Sequence, residues 1–352
     1  MTRRAALRAT RRNADYVCPQ CRDPVGREKE GYHCPRCVII FPVLFGIPDF
    51  RLSPDRYLSL SEERAKAKRL HDYAQTHSFA ETVAEYYRIT DDVSPEMAVR
   101  FSEYVLAGEA RGSAALGAIP ARDAGAGRLL DVGCGAGGTV AAAARTGRDV
   151  TGIDIALRWL VIAQKRLQEE GLGGELVCGD IANPPFADKA FDCVIATDLF
   201  EHLPDPDAGA GAIRSLLAPS GQIYATGANR FTVTRYAPAG LWGVGYLPTS
   251  LRRRYVVWRC GIDTLRFLKM QSPSSLSRLF ARAGFTDIRP SPLTISSDRG
   301  ATLKPFRRLI FGLYRALCRV AITRAVLVRV GPVFEISAIN PATFSSTKRT
   351  TS

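Results

Sequence analysis

The sequence predicts an α/β fold, a doubly wound parallel sheet preceded by a small cysteine-bearing module. Three observations carry this. Residues Leu129 to Gly138, LLDVGCGAGG, run from an apolar strand through a glycine turn into a helix-prone stretch, the opening unit of a nucleotide-binding sheet. Three further apolar strands follow, each ending at or near an aspartate. Two CxxC pairs stand ahead of them all.

Residues 1–14, which begin MTRRAALRATRRN, lack the apolar core of a secretory signal and read as a basic disordered arm. Residues 15–50 hold CPQC and CPRC, separated by twelve residues. Four thiolates at that spacing, in a segment too short for a core of its own, predict a structural zinc ribbon ligated by Cys18, Cys21, Cys34 and Cys37. Four protein ligands leave the metal no open position for catalysis. Such thiols stay reduced in the cytoplasm, the expected location. Residues 51–118 are charged and helix-prone. Ser61 is the expected cap of a helix in SLSEERAKAKRLHDYAQ, and apolar spacing predicts another near Pro95 to Leu106. His71 and His77 are expected at the surface.

Residues 119–341 form the sheet domain. Its strands are expected over 127–132, 149–153, 175–178, 192–197, 222–226, 287–295 and 334–339, the last as an antiparallel edge. Gly133, Gly135, Gly137 and Gly138 make the turn after the first strand, where a bulky side chain would block a ligand's approach to the backbone. Two insertions, 229–271 and 296–331, interrupt the domain late. The first leaves the C-terminal end of a strand and should lie over a ligand bound there. Ser272 and Pro273 open the helix that follows it. Cys134, Cys178, Cys193, Cys260 and Cys318 are scattered and expected as buried thiols. Residues 342–352 read as a disordered tail. No stretch of about 18 apolar residues suggests a transmembrane helix.

Charge narrows the ligand. Asp131, Asp154, Asp180 and Asp198 lie at or near the C-terminal ends of four successive strands, where open α/β sheets bind ligands. A dinucleotide would set its pyrophosphate on the glycine turn, and Asp131, two residues before the first glycine, would repel it. S-adenosylmethionine has no phosphate and carries an ammonium and a sulfonium, which favour nearby carboxylates. Asp154, 21 residues past Gly133, sits where such folds place an acid on ribose hydroxyls.

Five segments appear in order: LLDVGCGAGG, VTGIDIA, CGDIANPPF, FDCVIATDLFEHLPDP and LAPSGQIYATGANR. Together they resemble the class I S-adenosylmethionine-dependent methyltransferases, over roughly residues 129–285 with the last strand added. The resemblance implies a seven-stranded Rossmann-like methyltransferase sheet. It assigns Asp131, Gly133, Gly135 and Gly137 to the methionine part of the cofactor, Asp154 to the ribose and Asp180 to the adenine. Ile155, Ile181 and Thr197 stand beside them. It makes the helices of 51–118 a lid, with Tyr86, Tyr87 and Tyr104 either lining it or packing beneath it. The ribbon resembles the zinc modules fused ahead of some class I methyltransferases, among them bacterial large-subunit rRNA guanine methyltransferases. Those commonly use a histidine where this chain has Cys37, and they lack its EHLP.

Methyl transfer to oxygen or nitrogen calls for a base. His202, four residues after Asp198 and on one face of a helix there, is the first candidate, with Asp198 and Glu201 behind it. Residues 1–12 hold five arginines and no acid, and residues 299–352 hold ten Lys and Arg against Glu335 alone, so these two ends account for the whole net charge of +14. Arg308, Arg315, Arg319 and Arg329 are expected in a narrow arc of one helix beside apolar residues. That pattern suits an anionic membrane surface, an amphiphilic acceptor, or plain packing with the arginines in water. Three functions stay open. One is O-methylation of a small-molecule, natural-product or lipid-linked acceptor, with peripheral membrane contact through 305–330. Another is base methylation of rRNA or tRNA, with the ribbon contacting RNA. The third is a non-catalytic scaffold. EHLP and the first insertion favour the first, the ribbon and charge the second; the intact acids and glycines speak against the third.

Overall fold

A computed structural model describes residues 16–91, 93–119, 127–294 and 305–342. The expected N-terminal arm and the tail from residue 343 lie outside the described residues, as does 295–304.

The ribbon folds as four short antiparallel strands, β1 (Gly26–Arg27), β2 (Gly31–Cys34), β3 (Ile39–Leu44) and β4 (Ile47–Pro48). It is built into the molecule. Tyr16, Phe41 and Phe50 are buried in one apolar cluster with Val177, Ile181 and Phe186 of the sheet domain. The Phe50 N–H donates to the Cys178 carbonyl at 2.8 Å, and the Tyr16 hydroxyl donates to Glu175 at 2.5 Å.

Four helices follow: α1 (Leu60–Ala74), α2 (Phe79–Arg88), α3 (Pro95–Leu106) and α4 (Gly108–Ala118). Ser59, not Ser61, caps α1. A capping box needs an acid three residues on, and Glu62 stands there for Ser59, whereas Ser61 meets Arg64. His71 and His77 are half-buried, stacked on Phe45 and Tyr73 with ring centroids 4.6 and 3.6 Å away.

The sheet domain begins with β5 (Leu129–Val132), α5 (Gly138–Arg145), β6 (Val150–Asp154), α6 (Leu157–Glu169) and β7 (Glu175–Cys178). It continues with β8 (Phe191–Thr197), α7 (Pro206–Leu216) and β9 (Leu217–Ala228). The first insertion holds β10 (Arg235–Tyr236), β11 (Leu241–Trp242) and α8 (Thr249–Cys260). Then come α9 (Pro273–Arg282), capped by Ser272 as expected, β12 (Thr286–Pro292), α10 (Pro305–Arg319), α11 (Ala321–Val330) and β13 (Val333–Ile339).

The seven strands order as β12-β13-β9-β8-β5-β6-β7. β5 to β9 are parallel, and β13 is antiparallel to both its neighbours. The last strand is therefore no edge. It slots between β9 and β12, burying Phe334, Ile336 and Ala338 in the core. The expected single arginine helix is also broken. Val320 is extended, with φ −90° and ψ 125°, and the Thr323 hydroxyl donates to the Leu317 and Val320 carbonyls across the break. Arg329 thus lies on a different helix from Arg315 and Arg319, while the Arg308 side chain lies outside the described residues. Cys134, Cys178 and Cys193 are buried as expected, but Cys260 and Cys318 are only half-buried. Among the described residues no helix is long and apolar enough to cross a membrane.

Candidate active site

The chain runs from β5 outward through β6 to β7, then returns to β8 on the other side of β5. This reversal between β5 and β8 is the switch point at which ligands of open α/β sheets bind, beyond the C-terminal strand ends. Asp131 sits there, in register with Gly152 of β6 and Ile195 of β8. The glycine turn folds back over β6, the Gly133 N–H donating to the Ile153 carbonyl at 2.8 Å. Gly135 has φ +49°, and a Cβ added there would meet nothing within 4 Å, so the turn presents bare backbone to open space. Gly138 serves packing instead: its Cβ would lie 2.5 Å from the Gly108 backbone.

Asp131 is 1% exposed, and among the described residues no hydrogen bond of good geometry reaches either carboxylate oxygen. Burial, then the charge of Asp154, pushes its pKa up to about 8, the Thr139 hydroxyl pulling the other way. A buried carboxyl without partners is costly unless something binds it, so this residue fits a cationic ligand group. Asp154 Oδ2 accepts from the Gly135 N–H at 2.9 Å and Oδ1 from the Ala156 N–H at 2.8 Å. Burial holds its pKa above the ordinary value. It pins the glycine turn to the next loop, and lone pairs remain for hydroxyls. Asp180 accepts from the Ala182 N–H at 2.9 Å, a local turn bond that engages one oxygen. Ile155 is half-buried, its carbonyl accepting from Arg51 at 3.2 Å; Ile181 packs into the core; Thr197 ends β8.

Past β8 the structure departs from expectation. Asp198 has a left-handed φ of 51°, and residues 198–202 form a turn rather than a helix. No helix therefore sets His202 over Asp198; the residue is exposed, and desolvation by its neighbours lowers its pKa despite Asp198's opposing charge. Asp198 Oδ1 accepts from the Thr226 hydroxyl at 3.2 Å and Oδ2 from the Tyr104 hydroxyl at 2.5 Å. Tyr104 belongs to α3, so the helical segment touches this strand end. Tyr86 and Tyr87 do not: their rings lie 4.2 and 6.1 Å from Trp159 of α6.

The first insertion closes over this end. It leaves and re-enters side by side, the Arg230 N–H donating to the Gln271 carbonyl at 2.7 Å. The Lys269 N–H donates to the Glu201 carbonyl at 2.7 Å, and its ammonium to the Pro204 carbonyl, also at 2.7 Å. Tyr236 of β10 is buried among Ala228, Val244, Val256 and Leu265. Sequence reasoning missed it, because one tyrosine among many aromatics has no periodic signal.

In the ribbon, all four cysteine sulfurs lie within 4.8 Å of one another, Cys21–Cys34 at 3.5 Å and Cys18–Cys37 at 3.9 Å. A tetrahedral zinc thiolate site has sulfur–sulfur edges of ~3.8 Å, so the set is compatible with one zinc ion.

Residues 130–225 match the family model described as a methyltransferase domain. The ubiquinone biosynthesis O-methyltransferase of Chromobacterium violaceum is 32% identical over 160 residues, 45% of this chain and 63% of that protein. The enzyme of the same name from Paracidovorax citrulli is 30% identical over 184 residues, 51% of this chain and 69% of its own. The chain thus spans about two thirds of the curated relatives it matches. A solved Thermotoga maritima structure, described as a SAM-dependent methyltransferase and possible histamine N-methyltransferase, aligns over 70% of this chain and 96% of its own at 14% identity, with a TM-score of 0.44.

Proposed function

Because the chain belongs to the class I S-adenosylmethionine-dependent methyltransferases, we propose that it methylates an oxygen of a small, lipid-like acceptor. The observation that carries the cofactor half is the buried Asp131 carboxylate, which no hydrogen bond of good geometry reaches among the described residues, on the strand that leads into the open backbone of Gly135. Asp131, Gly133, Gly135 and Gly137 would hold the methionine part, Asp154 the ribose and Asp180 the adenine. Ile155 and Thr197 flank them, and Ile181 would contribute through its backbone, since its side chain is in the core. Bound there, S-adenosylmethionine would supply a methyl group activated on its sulfonium, the S–C electron pair remaining with sulfur. The protein's own part is to orient the acceptor oxygen and remove its proton. Of His202 and Asp198, the turn favours Asp198 at the site, as a fixed negative charge held by Tyr104 and Thr226.

The acceptor class rests on the relatives, which are named for O-methylation in ubiquinone biosynthesis, and which speak for an oxygen rather than an RNA base. It rests also on exposed apolar surface. Trp242 and Trp258 of the first insertion are 67% and 74% exposed. Leu309, Leu313, Ile322 and Val326 are exposed on α10 and α11 beside exposed Arg315, Arg319, Arg324 and Arg329. Such a surface suits an amphiphilic acceptor and peripheral contact with an anionic membrane through 305–330. The four cysteines would hold a structural zinc. Incubation with tritiated S-adenosylmethionine and a fractionated cell extract tests the reading. Label should enter the organic-soluble fraction; label confined to RNA would overturn it.

A further inference from the structure

The first insertion and the turn after β8 bury two polar oxygen atoms that make no hydrogen bond among the described residues. Glu201 is 2% exposed and Tyr236 1%, and among the described residues neither Glu201 Oε2 nor Tyr236 Oη makes a hydrogen bond. Both lie against the end of β9, Glu201 Oε2 beside Gly227 and Tyr236 packed with Ala228, although one belongs to the sheet domain and the other to β10. Buried polar atoms in folded proteins are rarely left unpaired, and two together point to a partner that arrives from outside. The carboxylate accepts; the phenol both donates and accepts. A hydroxyl complements the pair.

The surroundings agree. On the sheet side stands Gly227, where even a Cβ would lie 3.7 Å from Glu201 Oε2. On the other side the Arg230 and Arg252 guanidiniums donate to the Gly245 and Leu247 carbonyls at 3.0 and 3.2 Å, and both positive charges act on Tyr236. That positive wall favours an acceptor oxygen that is losing its proton.

We propose that Glu201 and Tyr236 clamp the acceptor's hydroxyl, which donates to Glu201 Oε2 and accepts from Tyr236 Oη, and that Glu201 takes its proton during transfer. This deepens the function proposed above and rests on it: the insertion, not the sheet, recognises the reacting hydroxyl. The proton passes from the acceptor oxygen to the carboxylate as that oxygen gains the methyl group. Burial and the Asp198 charge push the Glu201 pKa up to about 8, while the backbone N–H groups of Glu201 and Ala228 pull it down. Asp198, Tyr104 and Tyr236 are the titratable groups whose charges couple to Glu201, while Arg230 and Arg252 act on Tyr236 and the Lys269 ammonium is held at Pro204. Glu201 is thus poised as a base whose active form grows as pH rises through about 8.

Catechol is the probe, bound to the full-length protein loaded with S-adenosylhomocysteine and methylated by the same protein with S-adenosylmethionine. Tyr236→Phe removes only the partnerless oxygen, so it should keep the fold and the cofactor affinity while weakening catechol binding roughly ten-fold, about one hydrogen bond. Glu201→Gln should lower kcat about 100-fold and flatten the pH profile near 8. Infrared difference spectra give a readout without turnover: catechol should shift a protonated-carboxyl band that Glu201→Gln lacks. The clamp is overturned if Tyr236→Phe binds catechol as wild type does, or if catechol is methylated without moving that band. Should catechol neither bind nor react, the variants are read on the labelled organic extract. Lost labelling in Glu201→Gln with intact S-adenosylhomocysteine binding supports the clamp, and unchanged labelling overturns it. No organic label with the wild type overturns the proposed function instead.

Discussion

Asp131 ties the sheet to the proposed cofactor site within a single side chain. The apolar strand that carries it buries its carboxyl, and among the described residues no hydrogen bond of good geometry reaches its oxygens, the Thr139 hydroxyl being the one nearby donor that favours its charge. Its folded pKa of about 8 stands above the ordinary value of ~3.9, so the folded protein without ligand holds a proton there that the unfolded chain releases. The contribution is therefore full at low pH and is lost progressively as pH rises from ~4 toward about 8. A cationic ligand reverses the sign, since it binds the ionised carboxylate. Affinity for S-adenosylmethionine should accordingly strengthen as pH climbs toward about 8, approaching ten-fold per pH unit well below that point, and then level off. Calorimetric titrations from pH 6 to 9 check this, and Asp131→Asn should bind weakly with a flat profile. A wild-type affinity that ignores pH would show that Asp131 does not meet the cofactor's charge.

Between elements, the helical segment is fastened to the sheet domain by a buried ion network. Arg158, near the start of α6, donates to Asp55 at 2.8 Å and to the Glu63 carboxylate of α1, and all three side chains are at most 7% exposed. Arg158→Met would leave Glu63 and Asp55 buried without their cation, so denaturant unfolding should show a loss of about 3–5 kcal/mol. Ser59→Ala, at an exposed cap, should cost only about 1 kcal/mol. Elements of this kind were legible in the sequence where one local rule decides them: β7 over Glu175–Cys178, α9 behind Ser272-Pro273, and the acids at the ends of the parallel strands. The failures share a cause in longer-range geometry. The turn at Asp198 depends on a left-handed residue tied to Thr226, twenty-eight positions away, which no helical spacing reveals. The place of β13 between β9 and β12 is likewise set by partners distant in sequence, whereas the break at Val320 rests on a local Thr323 side-chain bond that apolar spacing does not register. Asp131 and the glycine turn were readable because strand, acid and turn are contiguous; Tyr236 was not, because only the folded insertion carries it to Glu201.

At the scale of the whole molecule, two attachments surround a sheet domain whose middle is electrically neutral. The ribbon contributes Tyr16, Phe41 and Phe50 to the main apolar cluster, so its integrity bears on the sheet edge at β7. Cys34→Ser should lower both bound zinc, measured by atomic emission, and the melting temperature; unchanged metal content would remove the zinc assignment. The other attachment is α10 and α11, which present apolar side chains and four exposed arginines on two helices rather than one. Splitting the helix spreads the charge over a broader face, which favours a surface over a groove as the counterpart. Each arginine near an anionic bilayer contributes ~1 kcal/mol, so replacing Arg315, Arg319, Arg324 and Arg329 with Gln should weaken vesicle binding by roughly a hundred-fold or more. Cosedimentation with phosphatidylglycerol vesicles should therefore exceed that with phosphatidylcholine, fall as salt is raised, and be lost in the four-fold variant. Equal and weak binding to both lipids would assign these helices to the acceptor alone, because an amphiphilic small molecule needs the apolar face but not a charged plane.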